Sequence, residues 1–287
     1  MNAVYKRELR SYFSSMIGYI FIAFLLVACG FFSNAVNFRS GYPKFEYVIQ
    51  NLTFIFLLIV PILTMRSFSE ERSSGTDKLL YSLPLSNAKI VLGKYFAMLT
   101  VFLIPTAVMC LYPIVLSGFG EVSFASAYSS IIGFYFIGAA LIAIGMFFSS
   151  LADNQAIAAI ICFAAMLFIY LISAFASLIP STSTASLLCF AALEIVVAIV
   201  VWSFTKSTAA SVITGAVLIV GTVIVYLSDR ALFESAFPNL LNSVAIYDRI
   251  AGFVNGLFDL TSIVFCTSVS VVFLFLCGRS LEKRRFS

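Results

Sequence analysis

Apolar continuity divides the chain into eight charge-poor runs: Met16 to Val36, Val48 to Met65, Tyr95 to Leu116, Ala127 to Ser149, Ala156 to Ile179, Leu187 to Phe204, Ala209 to Leu227 and Leu260 to Gly278. A helix of about 20 apolar residues crosses the bilayer's hydrocarbon core. These runs are apolar on every side, whereas barrel strands alternate over segments of about 10 residues, so the pattern predicts helices. Glu194, in the sixth run, is the one charge inside any of them. The longest intervals between runs, Arg66 to Lys94 and Ser228 to Asp259, fall short of the roughly 40 residues a small domain needs to stand alone. The expected fold is therefore all-α: a single polytopic transmembrane domain over residues 1–287 with about eight helices and both termini cytoplasmic.

Three polar intervals carry patterns of their own. In residues 1–15, Lys6, Arg7 and Arg10 are set among Val4, Tyr5, Leu9, Tyr12 and Phe13, which fits either an amphipathic helix on the cytoplasmic leaflet or a plain basic flank. In residues 66–94, Gly75 is placed to end a helix continuing out of the second span, with Thr76 to cap a new one and Asp77 to favour its positive end. Leu79, Leu80 and Leu83 give that new helix an apolar face, Pro84 stops it, and Ser86 or Asn87 caps the helix leading through Lys89 and Lys94 into the third span. An apolar face on a short loop beyond the membrane suits a docking element; the alternative is a loop whose leucines fold back into the lipid interface. In residues 228–259, Leu232, Ala236, Leu240 and Val244 recur at helical spacing and predict extracellular amphipathic helices, with Pro238 separating the first from the second.

Composition agrees with a lipid-solvated chain: 62% hydrophobic and 10% charged residues, with a mean hydropathy of +1.07. With both termini inside, thirteen of the seventeen basic residues fall on cytoplasmic segments, so the net charge of +4 reports orientation and argues nothing for nucleic acid. All six cysteines lie inside predicted spans without a CxxC pair and read as small buried hydrophobes. The chain contains no histidine, which removes most metal sites and every histidine-based acid–base arrangement. Leu26-Val27-Ala28-Cys29 has the look of a lipoprotein cleavage box, but the apolar run continues through Phe31 and Phe32 as a full span. The Gly93-Lys94 pair has Ala88 where a phosphate-cradling loop needs glycine and Tyr95 where it needs Ser or Thr, so no catalytic residue, cofactor or metal is expected in this chain.

The basic N-terminus, the run ERSSGTDKLLYSLPLS followed by KIVLGKY, and NGLFDLTS leading into a span that ends SLEKRR together resemble the type-2 ABC permease family, and within it the gliding-motility-associated branch. The resemblance implies a membrane-spanning subunit of an ATP-driven exporter in a bacterial plasma membrane, with ATP bound by a separate ABC ATPase. It also implies a second permease subunit, as homo- or heterodimer, and leaves room for an accessory extracytoplasmic subunit. By the same resemblance Glu71, Gly75, Thr76, Asp77, Lys78, Leu79, Leu80, Leu83 and Pro84 form the coupling element seated on the ATPase. Six spans are commoner in that family, which makes spans six and seven the candidates for an added pair.

A secondary transporter and a non-transporting membrane partner remain as alternatives. A carrier usually places several ionisable groups in its spans, and here there is one. Glu194, mid-span, is read either as a substrate or proton contact or as a structural hydrogen bond, made in protonated form, to a Ser, Thr or Tyr of a neighbouring helix. Gly145 with Ser149, and Ala139 with Ala143, offer small-residue faces for close contact between two subunits.

Overall fold

The computed structural model describes residues 1–39, 41, 43–76, 86–205 and 207–285, and no strand occurs among them. Its helices are α1 (Asn2–Ser14), α2 (Met16–Ser33), α3 (Phe45–Leu52), α4 (Phe56–Thr64), α5 (Arg66–Ser73), α6 (Asn87–Met109), α7 (Tyr112–Leu116), α8 (Phe124–Leu151), α9 (Gln155–Leu178), α10 (Ser183–Thr205), α11 (Thr208–Ser228), α12 (Ala236–Val244), α13 (Ile250–Val254) and α14 (Leu260–Arg285). Among the described residues, 7 helical stretches are long and apolar enough to cross a membrane, and an eighth apolar stretch, Ser183–Ile199, lies within α10. The second span is built from α3, a 3-10 turn at Thr53–Ile55, α4 and α5 in succession. Cys29 lies fully buried inside α2, whose helix runs on through a π turn, Asn34–Phe38.

The chain forms two compact units, residues Met1–Tyr170 with Arg249–Ser287, and residues Leu171–Asp248. In lipid there is no water to drive helices together, so close packing and interhelical hydrogen bonds must hold them. The first unit shows both. Its α8 is buried along most of its length, and Phe56, Phe102 and Phe134 interlock at its middle, with Phe56 stacked on Phe134 at 4.4 Å and Phe102 on Tyr135 at 5.4 Å. Gly145 lets α8 meet α4: a Cβ there would lie 2.5 Å from the Thr64 hydroxyl. The Ser149 hydroxyl, one turn on, donates to the Met65 carbonyl at 3.2 Å and accepts from the Phe68 amide at 3.2 Å. The small face expected between two subunits is thus occupied within the chain at Gly145 and Ser149.

The second unit holds α10 against α11. Gly215 approaches Ala198, the Ser211 hydroxyl donates to the Ala198 carbonyl at 2.7 Å, and the Thr222 hydroxyl lies 2.8 Å from Glu194 Oε1. In the interval after α11 the break falls three residues before the expected one. Ser235 takes a left-handed φ of 57° ahead of α12, while Pro238 sits inside that helix. The first-turn amides of a helix have no intrahelical acceptor, so a proline there interrupts nothing.

Candidate functional site

At one end of the first unit, α1, the last turns of α5 and the first turns of α6 converge on Lys94. The sequence pattern places Lys94 on a flank, but α6 begins at Asn87, which carries Lys94 two turns into the helix and leaves it 2% exposed. Its ammonium has three N–H donors. Two of them donate, to Glu8 Oε1 at 3.0 Å and to the Ser67 carbonyl at 2.7 Å; the ammonium also forms an ion pair with Glu71 Oε2 at 3.1 Å, and the Phe68 ring is 5.1 Å away. The Arg7 guanidinium closes the circuit, reaching Glu8 at 2.7 Å and Glu71 at 2.5 Å. Arg66 and Glu70 pair beside it along one helix face, with Arg66 Nε donating to Glu70 Oε2 at 2.6 Å. A cavity of about 270 Å3 opens among these six side chains, three cationic and three anionic.

The site fixes α1 as well. Val4 packs on Gly93, the Tyr5 and Thr100 hydroxyls lie 3.0 Å apart, and the buried Tyr12 hydroxyl donates to the Leu63 carbonyl at 3.2 Å. Of the two readings of residues 1–15, amphipathic helix or plain basic flank, the structure has a helix, packed on α6 and α4. Burial works against a charged Glu8, but the Lys94 ammonium and the Arg7 guanidinium together outweigh it and hold the carboxyl below its ordinary value of 4.5.

α5 stops where the sequence places a break. Gly75 adopts φ +70°, a conformation that strains any residue with a Cβ. Its amide returns to the Arg72 carbonyl at 3.0 Å and the Thr76 amide to the Glu71 carbonyl at 2.9 Å, which satisfies the carbonyls a helix end would otherwise leave open. The Thr76 hydroxyl also points back, to the Glu71 carbonyl at 3.2 Å. Arg72 donates to the Ser150 carbonyl at 2.8 Å and to the Ala152 carbonyl at the end of α8, with Asp153 3.6 Å away. Of the expected docking residues, Asp77, Lys78, Leu79, Leu80, Leu83 and Pro84 lie outside the described residues.

The structure thus joins Glu71 to three residues absent from that expected set, Arg7, Glu8 and Lys94. One signal for Lys94 was available: a lysine between Val91-Leu92-Gly93 and Tyr95-Phe96-Ala97 has no water on either side and needs a carboxylate. Nothing in the local sequence says that the carboxylate comes from residue 8. The Gly93-Lys94 pair is helical and engaged by Val4, Glu8 and Glu71. Glu194 stands apart, in the second unit, with Oε1 near Thr222 and Oε2 buried without a hydrogen-bond partner.

A family model described as ABC-2 family transporter protein matches residues 16–187, more than half of the chain. No curated protein matches it. The matched region covers α2 to α9 and ends just inside α10.

Proposed function

The chain belongs to the ABC-2 transporter family, and on that premise we propose that it is the permease subunit of an ATP-driven exporter in a bacterial plasma membrane, coupled to a separate ATPase through the element from Glu71 to Pro84. The observation that carries this reading is the Lys94 site. Glu71 opens the coupling element and Lys94 lies beyond its far end, and their ion pair, 3.1 Å long, joins the two sides, while Glu8 ties Lys94 to α1 and Arg7 ties Glu71 to it. A force applied to the segment reaches the second span through α5, the third through α6 and the N-terminal helix through Glu8. Arg72 extends the connection to the end of α8.

In this reading the Lys94 end faces the cytoplasm, in keeping with the thirteen basic residues on that side. Leu79, Leu80 and Leu83 fill a groove of the ATPase, Asp77 and Lys78 set the register at its rim, and a second permease subunit supplies the matching half. The narrower likeness to the gliding-motility branch rests on the same runs as the family resemblance, from the basic N-terminus through ERSSGTDKLLYSLPLS and KIVLGKY to NGLFDLTS and SLEKRR. Co-purification with the ATPase, together with ATP hydrolysis that requires both chains, tests the assignment. Leu80→Asp should release or uncouple the ATPase while the permease stays inserted, and Lys78→Ala should do much less. Normal ATPase binding and transport with Leu79, Leu80 and Leu83 all changed to Ser would overturn it.

A further inference from the structure

A second site lies on the first unit at the opposite end of the second span. Gln50 and Asn51 are exposed on α3, inside a stretch otherwise apolar enough to cross the bilayer. Exposed primary amides within a span need polar partners at the edge of the hydrocarbon, and in membranes such groups usually mark a pathway or a binding site. Directly after them the helix tightens into the 3-10 turn at Thr53–Ile55, where the Thr53 hydroxyl donates to the Gln50 carbonyl. Interrupted helices within membranes line cavities or pack against protein. A cavity is present: about 590 Å3, lined by Phe32, Gln50, Asn51, Thr53, Phe54 and Tyr170. That volume falls within the roughly 300–1,000 Å3 range of small-molecule sites.

The lining selects a chemistry. It contains no charged side chain, so an ionic headgroup would give up hydration there without a counter-charge. Gln50 and Asn51 each carry both donors and acceptors, and Asn51 spends one donor on the Tyr47 carbonyl at 2.7 Å, leaving its oxygen to accept. Adjacent amides of this kind match adjacent hydroxyls, which likewise donate and accept. The Phe54 and Tyr170 rings meet at 5.4 Å and 68°, forming an aromatic corner beside the amides. Such a corner covers the C–H face of a sugar ring while its hydroxyls reach the amides. At about 1.5 Å per residue, the amides sit roughly 8–9 Å in from the start of α3, near the boundary between headgroups and acyl chains.

From this geometry we infer that the cavity binds a neutral, hydroxyl-rich headgroup of the sugar type. Only the further step of calling the bound molecule cargo rests on the permease reading; the binding itself does not.

The test uses the full chain in nanodiscs without ATPase. Native mass spectrometry follows retention of a monoglucosyl diacylglycerol, with phosphatidylglycerol as an anionic competitor and maltose as a free sugar. Retention of the glycolipid against excess phosphatidylglycerol is expected. Gln50→Leu and Phe54→Ala should each lower it about tenfold, the equivalent of one lost hydrogen bond or ring contact. Both positions are exposed, so neither change threatens the fold, and Leu103→Ala in a separate apolar cavity should leave retention unchanged. Equal binding of maltose would assign the site to free sugar, while preference for the glycolipid assigns it to a membrane source. Wild-type retention in both variants, displacement by an equal amount of phosphatidylglycerol, or binding of neither sugar would overturn the proposal. None of these results depends on ATPase co-purification, so the two readings fail separately.

Discussion

α8 in the first unit and α11 in the second have nearly the same mean hydropathy over their best windows, 2.3 and 2.2, yet 72% of the first window is buried in protein and 6% of the second. Hydropathy reports only that a segment tolerates hydrocarbon. Whether lipid or protein provides that hydrocarbon is decided by the small and polar residues that let helices approach. α8 presents Gly138, Gly145 and Ser149 to its neighbours, and each meets a partner side chain or carbonyl at close range. In α11, Gly215 meets Ala198 but a Cβ at Gly221 would touch nothing within 4 Å. The first unit is held by many mutual constraints, the second by a few along one seam.

The largest expected effect falls in the tightly constrained first unit, at Lys94. Lys94→Met keeps the bulk of the side chain and removes its charge, leaving Glu8 and Glu71 close together and largely buried. Breaking such a buried pair typically costs about 3–5 kcal/mol. Thermal unfolding in detergent should show the loss, and hydrogen exchange should show α1 less protected while still held to α6 by Val4 and Tyr5. By contrast Arg66→Ala, which removes a partly exposed pair with Glu70, should cost about 0.3–0.5 kcal/mol. Equal effects at the two sites would mean that Lys94 is not the centre of the network.

Second in size is Gly145→Val against Gly221→Val. The first drives a Cβ into Thr64 and should cost about 1–3 kcal/mol through overpacking. The second meets open space and should leave the melting temperature within about a degree, since substitutions away from special features stay within ~0.5 kcal/mol. A large loss at Gly221 would show that the exposed face of α11 is covered by another chain.

What the sequence made legible follows from the same contrast. Span number and place are local properties, set by runs of about 20 apolar residues, and the helices agree with them closely. Gly75 was legible because only glycine sits comfortably at φ +70°. Glu194 was legible as a group needing a neighbour, and Thr222 lies next to it. The Lys94 circuit was not. Its carboxylates come from residues 8 and 71, and pairing across such separations is fixed by helix packing, which leaves no periodicity in the chain. The same reason hides the sugar-type cavity: Phe32, Gln50 and Tyr170 meet only once α2, α3 and α9 are assembled.

A third contrast concerns polar contacts inside each unit. Thr222→Val deletes the hydroxyl near Glu194, and hydrogen bonds between membrane helices average about 0.6 kcal/mol, so the cost should be of that order. The lone tryptophan, Trp202, lies about two turns beyond Glu194 in α10, and its fluorescence follows the environment of that helix. Glu194→Gln keeps an acceptor beside Thr222 and should leave the Trp202 signal unchanged. If it also leaves transport unchanged, Glu194 is structural.

The smallest effect is a pH dependence centred on Glu8 in the first unit. Glu8 has a folded-state pKa below its ordinary value of 4.5, so it binds a proton more readily in the unfolded chain than in the folded one. Its contribution to stability is then fully present above about pH 4.5 and is lost as pH falls from there through the folded-state value. Protection of α1 against hydrogen exchange should be flat between about pH 6.5 and 5 and decline below about pH 4.5. Glu8→Gln should abolish the decline. Lys94→Met should instead move its onset to higher pH, because burial, the largest influence on Glu8, would then be opposed by Arg7 with Lys94 gone. A decline with the same onset in wild type and in Lys94→Met would show that Lys94 does not set the charge on Glu8, and the link between α1 and α6 would have to rest on Val4, Gly93 and the Tyr5–Thr100 contact alone.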